Sequence, residues 1–173
     1  MSAAPAVAGA DELLARAEAM EVEAAERYEE FAAQMEMHGN LEVAALFRRL
    51  AGFERKHAEA MAGDLARRGV AAAAKPALAA PGAEGLETSA GDALHYLMTP
   101  YHALEIALAN EERAVAFFTG LAETGATDEV RRLARGFAAE ETHHAELVRA
   151  WLARLARPYE EWAYDPDEPR SPE

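Results

Sequence analysis

Apolar residues recur along the chain at alternating steps of three and four positions, a spacing that places their side chains on one face of an α-helix. Polar and charged residues fill most positions between them, so each such segment is amphipathic. The pattern persists over several turns in four separate segments. It predicts four long helices, which run from about Asp11 to Met37, Leu41 to Arg68, Pro100 to Glu123 and Thr127 to Arg157.

The connections between these segments are of two kinds. The breaks at residues 38–40 and 124–127 are short, and short connections join antiparallel helices. Residues 70–91 are rich in alanine, proline and glycine and predict a long connection, with a candidate helical piece at residues 92–98. A connection of that length can travel along a bundle. The sequence therefore predicts an all-α, ferritin-like four-helix bundle, in which two antiparallel helical hairpins are joined by a long crossover.

These boundaries divide the chain into three parts. Residues 1–10 are predicted to be a flexible N-terminus, and they carry neither the positive charge nor the apolar run of a signal peptide. Residues 11–156 form the predicted bundle. Residues 157–173 are acidic and rich in proline, which predicts a disordered tail.

The two predicted hairpins have similar sequences. Residues 47–61 align with residues 134–148, and both segments contain Glu-x-x-His-Ala-Glu. Residues 21–32 align in the same way with residues 111–122, and both begin with glutamate. An internal repeat of this kind predicts a bundle with pseudo-twofold symmetry.

Each predicted buried face is apolar except at one level, where it carries a glutamate. The second and fourth helices add a histidine three positions later, on the same face. Buried carboxylates are costly unless they are paired or bind a cation. Two divalent cations balance four carboxylates beside two neutral imidazoles, so the pattern predicts a two-metal site. Its six predicted ligands are Glu21, Glu54, His57, Glu111, Glu141 and His144.

Each Glu-x-x-His pair is expected to bind one ion, and the two other glutamates are expected to complete or bridge the pair. The register in the fourth helix is open, because Glu140 and His143 also form Glu-x-x-His. The repeat favours Glu141 and His144, since both motifs then continue as His-Ala-Glu. Glu112 is likewise the second choice beside its neighbour in the third helix. One Glu-x-x-His motif in an alanine-rich helix is weak evidence for a metal site. Two such motifs together with a glutamate on each of the other two helices are strong evidence for it.

Composition narrows the possible functions. Asp and Glu number 31 against 17 Lys and Arg, and the net charge of −14 argues against nucleic acid and anionic membranes as partners. No apolar stretch is long enough to span a membrane. The chain has no cysteine, which excludes disulfides, thiol catalysis and cysteine-bound iron within it. We expect a cytoplasmic protein.

Residues 11–156 resemble the rubrerythrin-type ferritin-like proteins. The resemblance rests on Glu21 and Tyr28 with six residues between them, Glu54-x-x-His57-Ala-Glu, Ala103-Leu104-Glu105 at the start of the third helix, Glu111 and Phe118 with six residues between them, and Glu141-x-x-His144-Ala-Glu. It implies a non-haem site for two iron ions, which reacts with peroxide or dioxygen, and a homodimer. Manganese is the other candidate metal.

The sequence departs from that family pattern in three respects. It lacks a rubredoxin-like iron site, so electrons would come from an external donor protein. Members that reduce peroxide carry a further glutamate one turn from the third-helix ligand, where this chain has Leu108 and Ala114. Phe118 also stands where tyrosine is common. The resemblance therefore supports metal binding more strongly than peroxide reduction.

Three functions compete on this basis. The first is a di-iron oxidoreductase that uses hydrogen peroxide or dioxygen as a small-molecule oxidant. The alternative is a ferroxidase that handles iron, for which the acidic surface suits the collection of cations. The third is a metal-free structural bundle, and metal analysis of the purified protein distinguishes it from the other two.

Overall fold

The structure, a computed structural model, describes residues 7–70, 94–158 and 163. The described part of the chain holds four helices and no strand. The helices are α1 (Ala10–Met37), α2 (Leu41–Arg67), α3 (Pro100–Thr124) and α4 (Asp128–Leu152). No helix in this part is both long and apolar enough to cross a membrane. The predicted all-α class is confirmed.

Local sequence signals account for where the helices begin and end. Asn40 caps α2, accepting a hydrogen bond from the Val43 amide at 3.3 Å, and Thr127 caps α4 through the Val130 amide at 3.2 Å. Gly39 has a φ of +75°, in the left-handed region that glycine adopts without steric cost, and it ends the first helix. Pro100 occupies the first position of α3, where its missing N–H leaves no helical bond unmade.

The structure corrects one helix end and one predicted helical piece. The first helix begins at Ala10, with Gly9 as its N-cap, close to the predicted start at about Asp11. The fourth helix ends at Leu152, before Arg157, because the chain beyond it leaves the core: Leu155 is 38% exposed. Residues 94–98 form a turn and not a helix. Residues 1–6 of the predicted flexible start, most of the long connection and most of the tail lie outside the described residues.

The helices pack as two hairpins, α1 with α2 and α3 with α4. Between the hairpins, α2 approaches α3 and α1 approaches α4. Among the described residues, no Cα atom of α1 lies within 8 Å of one in α3, and the same holds for α2 and α4. These two wider gaps leave room for side chains to meet in the middle of the bundle.

The core consists of two apolar clusters at opposite ends of the bundle. The upper cluster includes Phe31 and Phe47, and it joins the end of α1, the start of α2, the start of α3 and the end of α4. The lower cluster includes Leu13, Phe118 and Val130, and it joins the opposite ends of the same helices. Since α2 ends in the lower cluster and α3 starts in the upper one, the connection between them must run the length of the bundle. This confirms the long crossover of the ferritin-like topology.

Candidate metal centre

Four glutamates form a layer between the two apolar clusters. Each helix supplies one of them, and each is between 5% and 8% exposed. This glutamate layer consists of Glu21, Glu54, Glu111 and Glu141. The two motif histidines lie at its edge, with 32% of the His57 side chain and 23% of the His144 side chain exposed. The structure thus brings all six sequence-predicted residues together at one level.

The six residues divide into two groups, one from each hairpin. In the first, Nδ1 of His57 lies 3.6 Å from Oε2 of Glu54 and 3.7 Å from Oε2 of Glu21. One ligand atom from each of these three residues falls within 4.8 Å of the others, which is close enough to share a metal ion. The glutamate of α1 therefore sits with the motif of its own hairpin.

The second group repeats this arrangement. Nδ1 of His144 lies 3.3 Å from Oε2 of Glu141 and 3.8 Å from Oε2 of Glu111, and the three ligand atoms again fall within 4.8 Å of one another. The two groups meet through their histidines, because the rings of His57 and His144 stack with centroids 4.4 Å apart. The pseudo-twofold repeat of the sequence is thus also present in the geometry of the site.

The electrostatics show how costly the glutamate layer is without cations. Burial, together with the neighbouring carboxyl of Glu54, raises the pKa of Glu21 to about 8, against the opposing effect of His57. Burial and the charges of Glu54 and Glu141 raise the pKa of Glu111 to about 10. The carboxyl groups of Glu21 and Glu54 raise the pKa of His57 to about 10. In the absence of metal, protons therefore replace the missing positive charge.

The donor set fits a pair of divalent metal ions. Nδ1 of His57 is buried and has no hydrogen-bond partner among the described residues, since its nearest carboxylate oxygens are 3.6 Å away or more. Once its proton is lost, a ring nitrogen in this position has a lone pair to offer a metal. Four carboxylates and two imidazoles are oxygen and nitrogen ligands, the kind that iron and manganese accept. The two groups suit a di-iron site.

The exposure of neighbouring residues favours one of the two registers in the third and fourth helices. Glu140 and His143 are exposed, so the alternative Glu-x-x-His pair points away from the layer. Glu112 is exposed as well and pairs with Arg149 of α4 at 2.6 Å. Leu108, one of the two places where a further glutamate is expected in peroxide-reducing relatives, packs instead against the upper cluster.

Sequence reasoning missed a polar residue beside the layer. Nδ2 of Asn110 donates a hydrogen bond to the phenol oxygen of Tyr28 at 2.9 Å, and its Oδ1 accepts one from Arg113. Tyr28 is 1% exposed and belongs to the upper cluster. The repeat held a signal for Asn110, because the aligned position in the first hairpin is the apolar Met20.

The fold and the glutamate layer define a ferritin-like bundle with a carboxylate-rich centre. A family profile for rubrerythrin matches residues 12–78. The chain is also similar to the 2.00 Å crystal structure of an uncharacterized conserved protein from Magnetospirillum magnetotacticum MS-1, with 39% sequence identity and a TM-score of 0.66 over 87% of this chain and 98% of that one. No curated protein sequence matches it. The chain belongs to the rubrerythrin family.

Proposed function

We propose that this protein is a non-haem di-iron oxidoreductase of rubrerythrin type, which binds two iron ions and reacts with hydrogen peroxide or dioxygen. The observation that carries the proposal is the pair of mirrored groups in the glutamate layer, each with two buried carboxylates and one histidine. Two ferrous ions carry four positive charges, which balance the four carboxylates while both imidazoles stay neutral. That balance removes the repulsion that otherwise keeps protons on the layer.

Each hairpin supplies the ligands for one ion in this proposal. His57 and Glu54 lie one helical turn apart on α2, so both reach the same ion, and Glu21 of α1 completes the group. His144, Glu141 and Glu111 do the same in the second hairpin. A centre for two ions therefore needs both hairpins, which links its assembly to the packing of the bundle.

The surroundings of the site favour chemistry with a small oxidant. The apolar clusters close the layer from above and below, so access is from the side, where the two histidines are partly exposed. When bound, two ferrous ions supply the two electrons that reduce hydrogen peroxide to two water molecules. The two protons of that reaction must enter by the same side.

The electrons that restore the reduced state come from an external donor protein in this proposal, because the chain contains no cysteine to hold a second iron centre. We further propose that the protein works in the cytoplasm as a homodimer, as the rubrerythrin family suggests.

A ferroxidase with an iron-storage role is the second candidate. The net charge of −14 supports it, since an acidic surface collects cations. Size-exclusion chromatography separates the two candidates, because a storage role needs a closed shell of many copies and the proposed oxidoreductase needs at most a dimer.

Anaerobic loading with ferrous iron, followed by rapid mixing with peroxide or with dioxygen, tests the proposal. We expect oxidation of two irons per chain and a clear preference for one oxidant. The control is Glu140→Ala, which removes an exposed carboxylate next to Glu141 and should react like the wild type. Protein that binds iron but leaves it ferrous with both oxidants would contradict the proposal.

A further inference from the structure

The glutamate layer is supported differently on its two sides. Above it, Tyr28 of α1 reaches Asn110 of α3 across the wide gap between these helices. The repeat places Phe118 and Met20 at the equivalent positions below it. There Phe118 belongs to the lower cluster and Met20 packs against that cluster, so both side chains lie in apolar surroundings. One side of the site therefore carries a directed polar link where the other side has apolar packing.

We propose that the hydrogen bond between Tyr28 and Asn110, referred to below as the Tyr28–Asn110 bridge, sets the distance between α1 and α3 at the glutamate layer. In this role Asn110 is a positioning residue. It directly precedes Glu111 in α3, and successive helical side chains are about 100° apart, so Asn110 reaches Tyr28 of α1 while Glu111 lies in the glutamate layer. The bridge thereby holds the turn of α3 that presents Glu111.

The geometry of the bridge makes it suited to this role. Tyr28 is almost fully buried and its ring stacks on Phe47 at 5.9 Å, so the phenol group has little freedom to move. Arg113 donates to Oδ1 of Asn110, which fixes the amide with its NH₂ group towards Tyr28. Among the described residues, no backbone contact within 8 Å holds α1 to α3. A hydrogen bond needs a narrow range of distance, whereas methionine packs over a wide one.

The bridge is a contact within the protein and does not depend on a bound metal. Its consequence for metal binding rests on the metal site proposed above. Glu21 and Glu111 lie on α1 and α3, so the distance between these helices controls how far apart their carboxylates lie. With the bridge intact, the two groups are held ready for their ions. Without it, the α1–α3 distance varies and the second ion binds more weakly.

Two substitutions test the bridge with little risk to the fold, because each introduces the residue that the repeat already uses at the equivalent position. Asn110→Met copies Met20, and Tyr28→Phe copies Phe118. The control is Met20→Leu, which changes the apolar side. Because the chain has no cysteine, spin labels can be placed on Glu26→Cys in α1 and Glu105→Cys in α3, both exposed. Circular dichroism verifies that each variant is folded.

Pulsed electron-spin distance measurements on the metal-free protein give the first result. We expect a broader α1–α3 distance distribution in Asn110→Met and in Tyr28→Phe, and an unchanged one in Met20→Leu. The double variant should match the single ones, since either change removes the whole bridge. Unchanged distributions in both bridge variants would overturn the proposal, whatever the metal content.

Binding of Mn²⁺, followed by electron paramagnetic resonance, gives the second result. We expect the second Mn²⁺ to bind about tenfold more weakly in both bridge variants, the scale typical for residues that orient metal ligands, and the signal from neighbouring ions to change. If the wild-type protein binds no Mn²⁺, that result counts against the proposed metal site. The distance measurements alone then test whether the bridge sets the α1–α3 distance. Folded variants that bind both ions with wild-type affinity and signal would overturn the role of the bridge at the site.

Discussion

The imidazole rings of His57 and His144 stack in parallel, with centroids 4.4 Å apart and planes that differ by 2°. Each ring belongs to a different Glu-x-x-His motif, so the stack is the point where the two halves of the repeat meet. It makes the two groups of ligands one centre. Each hairpin carries the ligands of one group only, so the two-ion centre needs both.

Replacing either histidine should weaken the binding of one of the two metal ions. In His57→Gln or His144→Gln one group keeps all three ligands and the other loses its nitrogen, so we expect one ion to bind as in the wild type. The second should bind at least about tenfold more weakly. His143→Gln is the matched control, because His143 is exposed and adjacent. Calorimetric titration with Mn²⁺ measures both affinities, and full binding by both site variants would count against the assigned ligands.

The stability of the metal-free protein should fall as pH rises from 6.5 to 8. Glu21, Glu111 and His57 have pKa values raised to about 8, 10 and 10, so the folded state holds more protons than the unfolded state in this range. A state that binds more protons is favoured by lower pH. Each extra proton contributes up to about 1.4 kcal/mol per pH unit to the free energy of unfolding. Urea unfolding at several pH values measures the slope.

Metal should weaken or reverse that slope, since it needs the carboxylates ionised. Glu111→Gln should flatten the slope in the metal-free protein, because glutamine does not titrate. Glu112→Gln, at the exposed neighbour, should leave it unchanged. Identical pH profiles for metal-free and loaded protein would speak against a buried carboxylate layer.

The buried aromatic residues of the upper cluster should contribute strongly to the stability of the bundle. Phe47 is fully buried and packs on both Tyr28 and Phe31, so Phe47→Ala should lower the free energy of unfolding by about 3–5 kcal/mol. Phe53→Ala is the control, because Phe53 is 38% exposed on the same helix, and about 1 kcal/mol is expected there. Chemical denaturation of the metal-free protein compares them. Equal losses in the two variants would contradict the described core.

Turnover should depend on an added reductant. The iron-loaded, reduced protein should consume about one equivalent of peroxide per site and then stop, because two ferrous ions hold two electrons and the chain has no cysteine for a second iron centre. A peroxide electrode records the consumption. Sustained loss of peroxide without reductant would indicate disproportionation instead. Oxygen uptake that follows each addition of Fe²⁺ and ends in a mineral would favour the ferroxidase alternative.

The fold and the grouping of the six candidate site residues could be predicted because both depend on periodicity. A glutamate repeated at one level of four apolar stripes has few explanations other than a shared centre, and Glu54 and Glu141 are indeed buried at that level. The alternative register at Glu140 could not be excluded from spacing alone, since adjacent positions differ only in which face they occupy.

Features that depend on contacts between distant segments could not be predicted. The sequence left the two unpaired glutamates as bridging or completing ligands, whereas the structure groups each with the motif of its own hairpin. The link from Tyr28 to Asn110 joins residues on different hairpins, so no local pattern marks it. The early end of α4 also depends on contacts with distant segments. The apolar periodicity of the sequence continues to Leu155, but this side chain is 38% exposed and has left the core.

The number of metal ions that the chain binds tests the central claim most directly. The decisive comparison is between the wild type, the double variant Glu54→Ala/Glu141→Ala, and the control Glu59→Ala/Glu146→Ala, which removes two exposed glutamates from the same two motifs. Metal analysis after anaerobic loading with Fe²⁺ should give about two ions per chain for the wild type and the control, and a loss of both in the site variant. Saturation of the wild type at one ion, or two ions retained by Glu54→Ala/Glu141→Ala, would contradict the account.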